Sequence, residues 1–304
     1  MTKGTPADSE LSRGQVSVVA LKNGEIRIVQ SSMLGSILSN ILLVLGCCFL
    51  AGGIKYHEQK FNETVASTMS SLMAVASASL IIPATLYAAL ARSKSNSKKT
   101  LLILSHGTAI ILLILYVMYL FFQLRTHTDL FDEEQDEEQG EEEDGDGDGD
   151  GDGKKHEEHI LSPWAAGVAL VVVTIAVAVC AEYLVDSIDS IVKTAHISKT
   201  FIGLILLPIV GNAAEHVTAV VVALRNKMDL AIGVAIGSSM QIALLVTPFL
   251  VLLGWAIDQP MTLHFETFET VVFFLSVLVT NYLIQDGKSN YLEGAMLLGT
   301  YVLH

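Results

Sequence analysis

Residues Phe201–Leu224 read FIGLILLPIVGNAAEHVTAVVVAL. The stretch is long enough to cross a hydrocarbon core of about 30 Å as a helix, yet it holds Pro208, Asn212, Glu215 and His216. An ionised side chain at a helix centre costs about 2.5–3.5 kcal/mol on insertion scales, and intramembrane ionisable residues mark ion or proton paths by default. The ring of Pro208 removes one amide donor and clashes with the carbonyl of Leu204, which frees a backbone oxygen at membrane depth. Asn212 and Glu215 lie three apart and share a helix face, which Thr218 is expected to continue. Carboxylate, amide, hydroxyl and freed carbonyl together make a cluster of oxygen ligands.

Such a cluster suits a hard cation like Ca²⁺, which takes about 6–8 oxygens in irregular geometry. Softer metals want Cys or His, and this helix offers only His216. That residue points about 100° away from Glu215, so it reads as a packing residue or proton relay rather than a ligand. One helix cannot supply six ligands. The next apolar stretch adds Ser238 and Gln241 on one face, and the first half adds Ser32, Ser36, Ser39 and Asn40. Small polar residues also tighten helix packing, which is the plain reading of Ser32 or Ser39 alone and of Gly233-x-x-x-Gly237. Glu182, Asp186 and Asp189 fall on one side of a helix at spacings of three and four. They read equally as a proton path or as a solvated helix end.

Outward from this stretch the chain keeps the same character. Of 304 residues 51% are hydrophobic and 16% charged, against about 25% charged in soluble domains. Seven runs are long and apolar enough to span a bilayer: 31–51, 65–91, 101–124, 164–185, 201–224, 230–256 and 268–284. Val16–Leu21 reads as the tail of a helix, and Tyr291–Leu303 as the start of one. No basic region followed by a short apolar core opens the chain, so no cleavable signal peptide is expected. The net charge of −14 is local: residues 129–159 carry 17 acidic groups and two lysines, which leaves the remainder at +1. Nucleic-acid binding is excluded, because no basic patch exists to neutralise phosphates. A disulfide scaffold is excluded too, since Cys47, Cys48 and Cys180 all sit in apolar runs. Lys and Arg divide evenly between alternate loops, so the positive-inside rule sets no orientation.

A repeat accompanies these runs. Val18-Val19-Ala20-Leu21-Lys22-Asn23 returns as Val221-Val222-Ala223-Leu224-Arg225-Asn226, and Gly35-Ser36 returns as Gly237-Ser238, the spacing slipping from 203 to 202. Five crossings separate the copies, and an odd number reverses their direction through the bilayer. Inverted repeats are a signature of secondary transporters, with the substrate site at midplane between the halves.

Gly211-Asn212-Ala213-Ala214-Glu215-His216 followed by Gly237-Ser238-Ser239-Met240-Gln241 closely resembles the vacuolar cation/proton exchanger family, part of the calcium/cation antiporter superfamily. Ala20–Arg27, Leu34–Asn40, Ala181–Asp189 and Tyr291–Ala295 are similar as well. The resemblance runs from Val16 to the C-terminus, the acidic tract excepted. It implies two inverted five-helix halves joined by an acidic segment, and Ca²⁺ moved into an acidic compartment against protons. One Gly-Asn-Ala-x-Glu glutamate from each half would sit at the site. Two carboxylates exchanging two protons for one Ca²⁺ keep the site's charge constant, which avoids a large desolvation penalty. Across two pH units two protons supply about 5.4 kcal/mol. Here the family would place its first copy just before Val16, where Arg13 stands in the glutamate's position. On this reading the chain looks truncated at both ends, by about one and a half helices at the front and most of one at the back.

Asp132–Glu158 ends in alternating Asp-Gly. One frame fits the EF-hand loop with Asp146, Asp148, Asp150, Gly151 and Glu157. Neighbouring frames fail and the flanks lack amphipathic helices, so a low-complexity tract is expected instead.

The expected fold is therefore an all-α polytopic membrane protein of two inverted repeats. Its parts are a polar segment (1–15), an incomplete first repeat (16–128), an acidic linker (129–160) and a second repeat (161–304). The expected function is calcium/proton antiport in a vacuole-like acidic endomembrane, a transporter and not an enzyme. The cation ligands are expected among Glu215, Asn212, Gly211, Ser238, Gln241, Ser36 and Asn40, with Glu182, Asp186 and His216 on the proton path. Ca²⁺ is cargo, no cofactor is expected, and Mn²⁺ and homo-oligomerisation stay open. The rival reading is a transport-inactive fragment that assembles with, or regulates, a full-length exchanger.

Overall fold

Runs of good helix formers without breakers become long helices. In the computed structural model, Pro6–Lys22 forms α1, Ile26–Tyr56 α2 and Glu63–Leu90 α3. Ser97–Phe121 forms α4, which ends in a π-helical turn at Phe122–Thr126. The second half contains α5 (Lys199–Gly211), α6 (Ala213–Leu224) and α7 (Met228–Ala256). It continues with α8 (Thr267–Leu283) and α9 (Tyr291–Leu303). The structure describes residues 6–90, 97–126 and 196–303, with scattered helical positions between 172 and 194. The acidic tract, Glu182, Asp186 and Asp189 lie outside the described residues. Among the described residues α2, α3, α4 and α7 are long and apolar enough to cross a bilayer, and the α5–α6 pair makes a fifth span.

Two expectations change. Phe201–Leu224 is not one helix but two, bent by 55° where α5 meets α6. The helix containing Val16–Leu21 begins ten residues earlier, at Pro6, because Ser, Glu, Arg and Gln extend a helix without needing an apolar face.

At the centre stand α2 and α7, with 72% and 61% of their most apolar windows buried, against 22% in α4. Met33, Ile37, Ile41 and Leu45 of α2 share one core with Ile232, Ile236, Met240 and Ala243 of α7. The two helices run antiparallel. Gln30, in the first turns of α2, donates to the Thr262 carbonyl just past the end of α7. The amide of Asn62, just past α2, donates to Asp229 in the first turn of α7. This is the reversal that the odd number of crossings requires.

The repeat is visible in local geometry too. The helix preceding each central helix ends in a Schellman cap. In the first, the amides of Gly24 and Glu25 reach the carbonyls of Leu21 and Ala20. In the second, those of Asn226 and Lys227 reach Ala223 and Val222. The left-handed residue is Gly24 (φ 78°) in one copy and Asn226 (φ 65°) in the other, the two residue types that tolerate that region. Both central helices also carry a π-helical turn at the matching place, Ser39–Val44 and Ile242–Val246. A Cβ on Gly237 would meet nothing within 4 Å among the described residues, so no tight crossing with any of these rests on that glycine.

A two-stranded ribbon ties the halves at one end. Glu58–Lys60 (β1) pairs antiparallel with Lys288–Asn290 (β2), Gln59 facing Ser289.

Candidate functional site

Pro208 shapes the site. A π-helical turn, Ile202–Leu206, precedes it, and three residues after it the helix ends at Gly211. Asn212 takes a non-helical conformation (φ −99°, ψ 6°), and its carbonyl accepts from the His216 amide at 2.9 Å as α6 begins. The break aims the C-terminal end of α5 and the N-terminal end of α6 at one point. Helix C-termini favour cations, and helix N-termini favour carboxylates. Glu215 lies in the first turn of α6, at the end of the helix that favours a carboxylate.

The partner surface is α2. A Cβ on Gly35 would strike the backbone carbonyl of Leu204, the oxygen that Pro208 frees, and one on Gly203 would strike Ser31. These two glycines let α2 and α5 touch backbone to backbone. That contact brings Ser36 and Asn40 within reach of the break. Asn212 Nδ2 donates to Asn40 Oδ1 at 2.8 Å and to the Ser36 carbonyl at 3.3 Å. Asn212, Glu215, Ser36 and Asn40 are all buried to 1% exposure or less. Asn212 Oδ1 and Ser36 Oγ are buried acceptors with no hydrogen-bond partner, and such an atom costs about 1–3 kcal/mol. A dehydrated hard cation coordinated by these oxygens would remove that cost. Among the described residues no group of three or more His, Cys, Asp and Glu gathers to hold a metal. Among the described residues the site sets the Glu215 carboxylate beside the neutral oxygens of Asn212, Ser36 and Asn40.

The remaining candidates separate. Gly211 closes α5 beside Asn212. Ser39 Oγ and His216 Nε2 stand 3.2 Å apart, so the histidine contacts the π-helical turn of α2. Ser238 is buried and Gln241 half-buried on α7, just ahead of its π-helical turn, where the repeat matches them to Ser36 and Ser39. Thr218 does not continue the Asn212–Glu215 face. It is exposed and donates to Ala214, because at 100° per residue it falls about 120° from Asn212; Ala219 and Ala223 take the buried positions instead.

One group escaped the sequence reading. Arg27 Nη2 lies 2.5 Å from Glu269 Oε1 and 3.1 Å from Glu266 Oε1, and Ser31 Oγ donates to the same Glu269 oxygen at 3.4 Å. The available signal was Glu269 one residue inside the apolar run 268–284. His264 stands beside this group, and burial, then the Arg27 charge, hold its pKa below the usual histidine value against the opposing pull of Glu266.

Comparison with known proteins agrees with this geometry. The chain is 52% identical over 288 residues to the vacuolar calcium ion transporter of Schizosaccharomyces pombe, covering 95% of this chain and 66% of that protein. It is 43% identical over 288 residues to the Ca(2+)/H(+) antiporter of Aphanothece halophytica, covering 95% and 76%. It thus spans about two thirds to three quarters of these relatives' lengths. The crystal structure of the selenium-substituted Ca2+/H+ antiporter protein YfkE superposes with a TM-score of 0.77 at 34% identity, covering 97% of this chain and 80% of that one. Residues 15–125 and 165–304 match the family described as sodium/calcium exchanger protein, the two matched segments flanking the acidic tract. Inverted central helices, a broken helix with a buried glutamate and these matches lead to one assignment: the chain belongs to the sodium/calcium exchanger protein family.

Proposed function

We propose that the protein is a calcium/proton antiporter that moves Ca²⁺ into an acidic endomembrane compartment, the vacuole or one like it, in exchange for protons. The observation that carries this reading is Glu215, 1% exposed at a helix break whose Asn212 is bonded across the repeat to Asn40 and Ser36. A carboxylate in that setting holds the cation when ionised and a proton when neutral, so the two ligands exclude each other at one group. Relatives carrying the words calcium ion transporter and Ca(2+)/H(+) antiporter support the cargo. The chain acts as a carrier and not an enzyme, the lipid bilayer is its solvent, and Mn²⁺ is a competing cargo to be tested.

The test uses the full chain in vesicles with an acidic lumen. Ca²⁺ uptake that collapses with the pH gradient is expected, and Glu215→Gln should reduce it to the level of protein-free vesicles. Uptake that survives Glu215→Gln would sink the assignment of the site. A second reading rests on Arg13, which stands where the family's other glutamate belongs: the chain then works only by assembling with a full-length exchanger. Absence of uptake alone, together with altered uptake by a co-reconstituted full-length relative, would favour it.

A further inference from the structure

A cleft of about 440 Å³ lies between the start of α5, the start of α8 and the end of α9, and Ser198, Thr200, Leu204, Glu266, Glu269 and Tyr301 line it. Leu204 connects it to the ion site, because its carbonyl rests against Gly35, one residue before Ser36. At the opposite wall the Glu269 carboxylate is nearly fully buried and held by Arg27 and Ser31 of α2. Its other oxygen accepts from the Glu266 amide at 3.3 Å, closing the capping box that starts α8. The contact therefore joins the helix that supplies Ser36 and Asn40 to the first turn of a helix from the other half, 242 residues away. A half-exposed pair, Glu25 with Lys199 at 2.9 Å, joins the same end of α2 to α5.

We propose that Arg27 and Glu269 form the latch of the cleft through which the ion reaches its site, with Arg27 as a positioning residue that holds α8 against α2 in the closed state. An ion pair with one carboxylate buried adds little net stability, yet it specifies position: losing Arg27 strands the Glu269 charge, while losing Glu269 leaves Arg27 the exposed Glu266 at 3.1 Å. Such a pair opens when water enters and solvates both charges together. That makes it a two-state contact rather than a graded one. The half-exposed Glu25–Lys199 pair contributes little, so the latch is assigned to the pair whose carboxylate is buried, at 2% exposure.

The proposal rests on the exchange reading, but its test needs no transport. The full chain in detergent, with Cys47, Cys48 and Cys180 changed to alanine, receives Thr200→Cys on the cleft wall, and labelling by a charged maleimide is timed. Arg27→Gln and Glu269→Gln should each speed labelling by about tenfold. The charge swap Arg27→Glu with Glu269→Arg should return it toward the parent rate, which damage to packing would not do. Ala109→Cys, at a fully buried α4 position, reports unfolding and should stay unlabelled. If the single variants label there as well, Arg27→Lys replaces them, since it keeps the charge while losing the forked geometry. Equal labelling rates in parent, single variants and swap would overturn the latch, whatever the uptake assay shows. Lost uptake with latch-dependent labelling would instead overturn only the exchange reading.

Discussion

A methyl group on Gly35 would land on the Leu204 carbonyl, a backbone atom with no rotamer to swing aside. Gly35→Ala should therefore cost about 1–3 kcal/mol as overpacking and should weaken Ca²⁺ uptake by separating α5 from Ser36. Gly237→Ala, at the matching position of the other half, meets open space and should gain up to about 1 kcal/mol of helix propensity. Thermal unfolding of the two purified variants checks this; equal melting temperatures would refute the close approach. The contrast also marks what single residues disclose in the sequence. Glu215 was legible because the cost of a carboxylate in hydrocarbon belongs to the residue itself, and Asn212 because it lies three residues before it. Gly35 and Gly237 sit in like motifs, and their difference lies in what stands opposite, which no motif states.

Elements were legible where length or period speaks. The apolar runs that became α2, α3, α4 and α7 need only composition and length. The π-helical turns and the three-residue strands carry no period, so neither they nor the clamp that β1 and the end of α2 build could be foreseen. At the end of α6, Lys55 Nζ and Tyr56 Oη donate to the Leu224 carbonyl at 2.7 and 3.1 Å. Gln59 Nε2 donates to the Ala223 carbonyl and to Asn226 Oδ1, both at 3.0 Å. These bonds cap the carbonyls a helix end leaves open, and they fix the half-helix whose other end carries Glu215. Because Gln59 is 1% exposed, Gln59→Leu removes two hydrogen bonds of a buried side chain, to the Ala223 carbonyl and to Asn226 Oδ1, and should cost about 1–3 kcal/mol. Lys55 is exposed, so Lys55→Met should stay within about 0.5 kcal/mol. Melting temperatures of both variants decide the matter, and equal losses would mean the clamp is not centred on Gln59.

At the scale of the molecule the two ends of the α2–α7 pair are held differently, and that asymmetry bears on which end opens. The Arg27 end is held by side-chain pairs around a cleft. The ribbon end is held by backbone pairing, and behind it α2 and α9 cross at Gly46, Gly53 and Gly294, where an added Cβ would strike the facing helix or β2. Tight backbone contact makes α2, the ribbon and α9 a single body, because close-packed interfaces do not deform gradually. The Phe61 amide bonds the Gly287 carbonyl, so Lys60 and Lys288, one step along, form a non-hydrogen-bonded pair, whose side chains lie closest. Lys60→Cys with Lys288→Cys should accordingly form a disulfide on oxidation. Lys288 gives up only a half-exposed contact with Glu58, which is worth little. If the ribbon stays shut through the cycle, the oxidised protein should take up Ca²⁺ at the rate of the reduced one. Loss of uptake on oxidation and its return on reduction would place the moving end at the ribbon instead, and α9 could then no longer travel with α2 as one body.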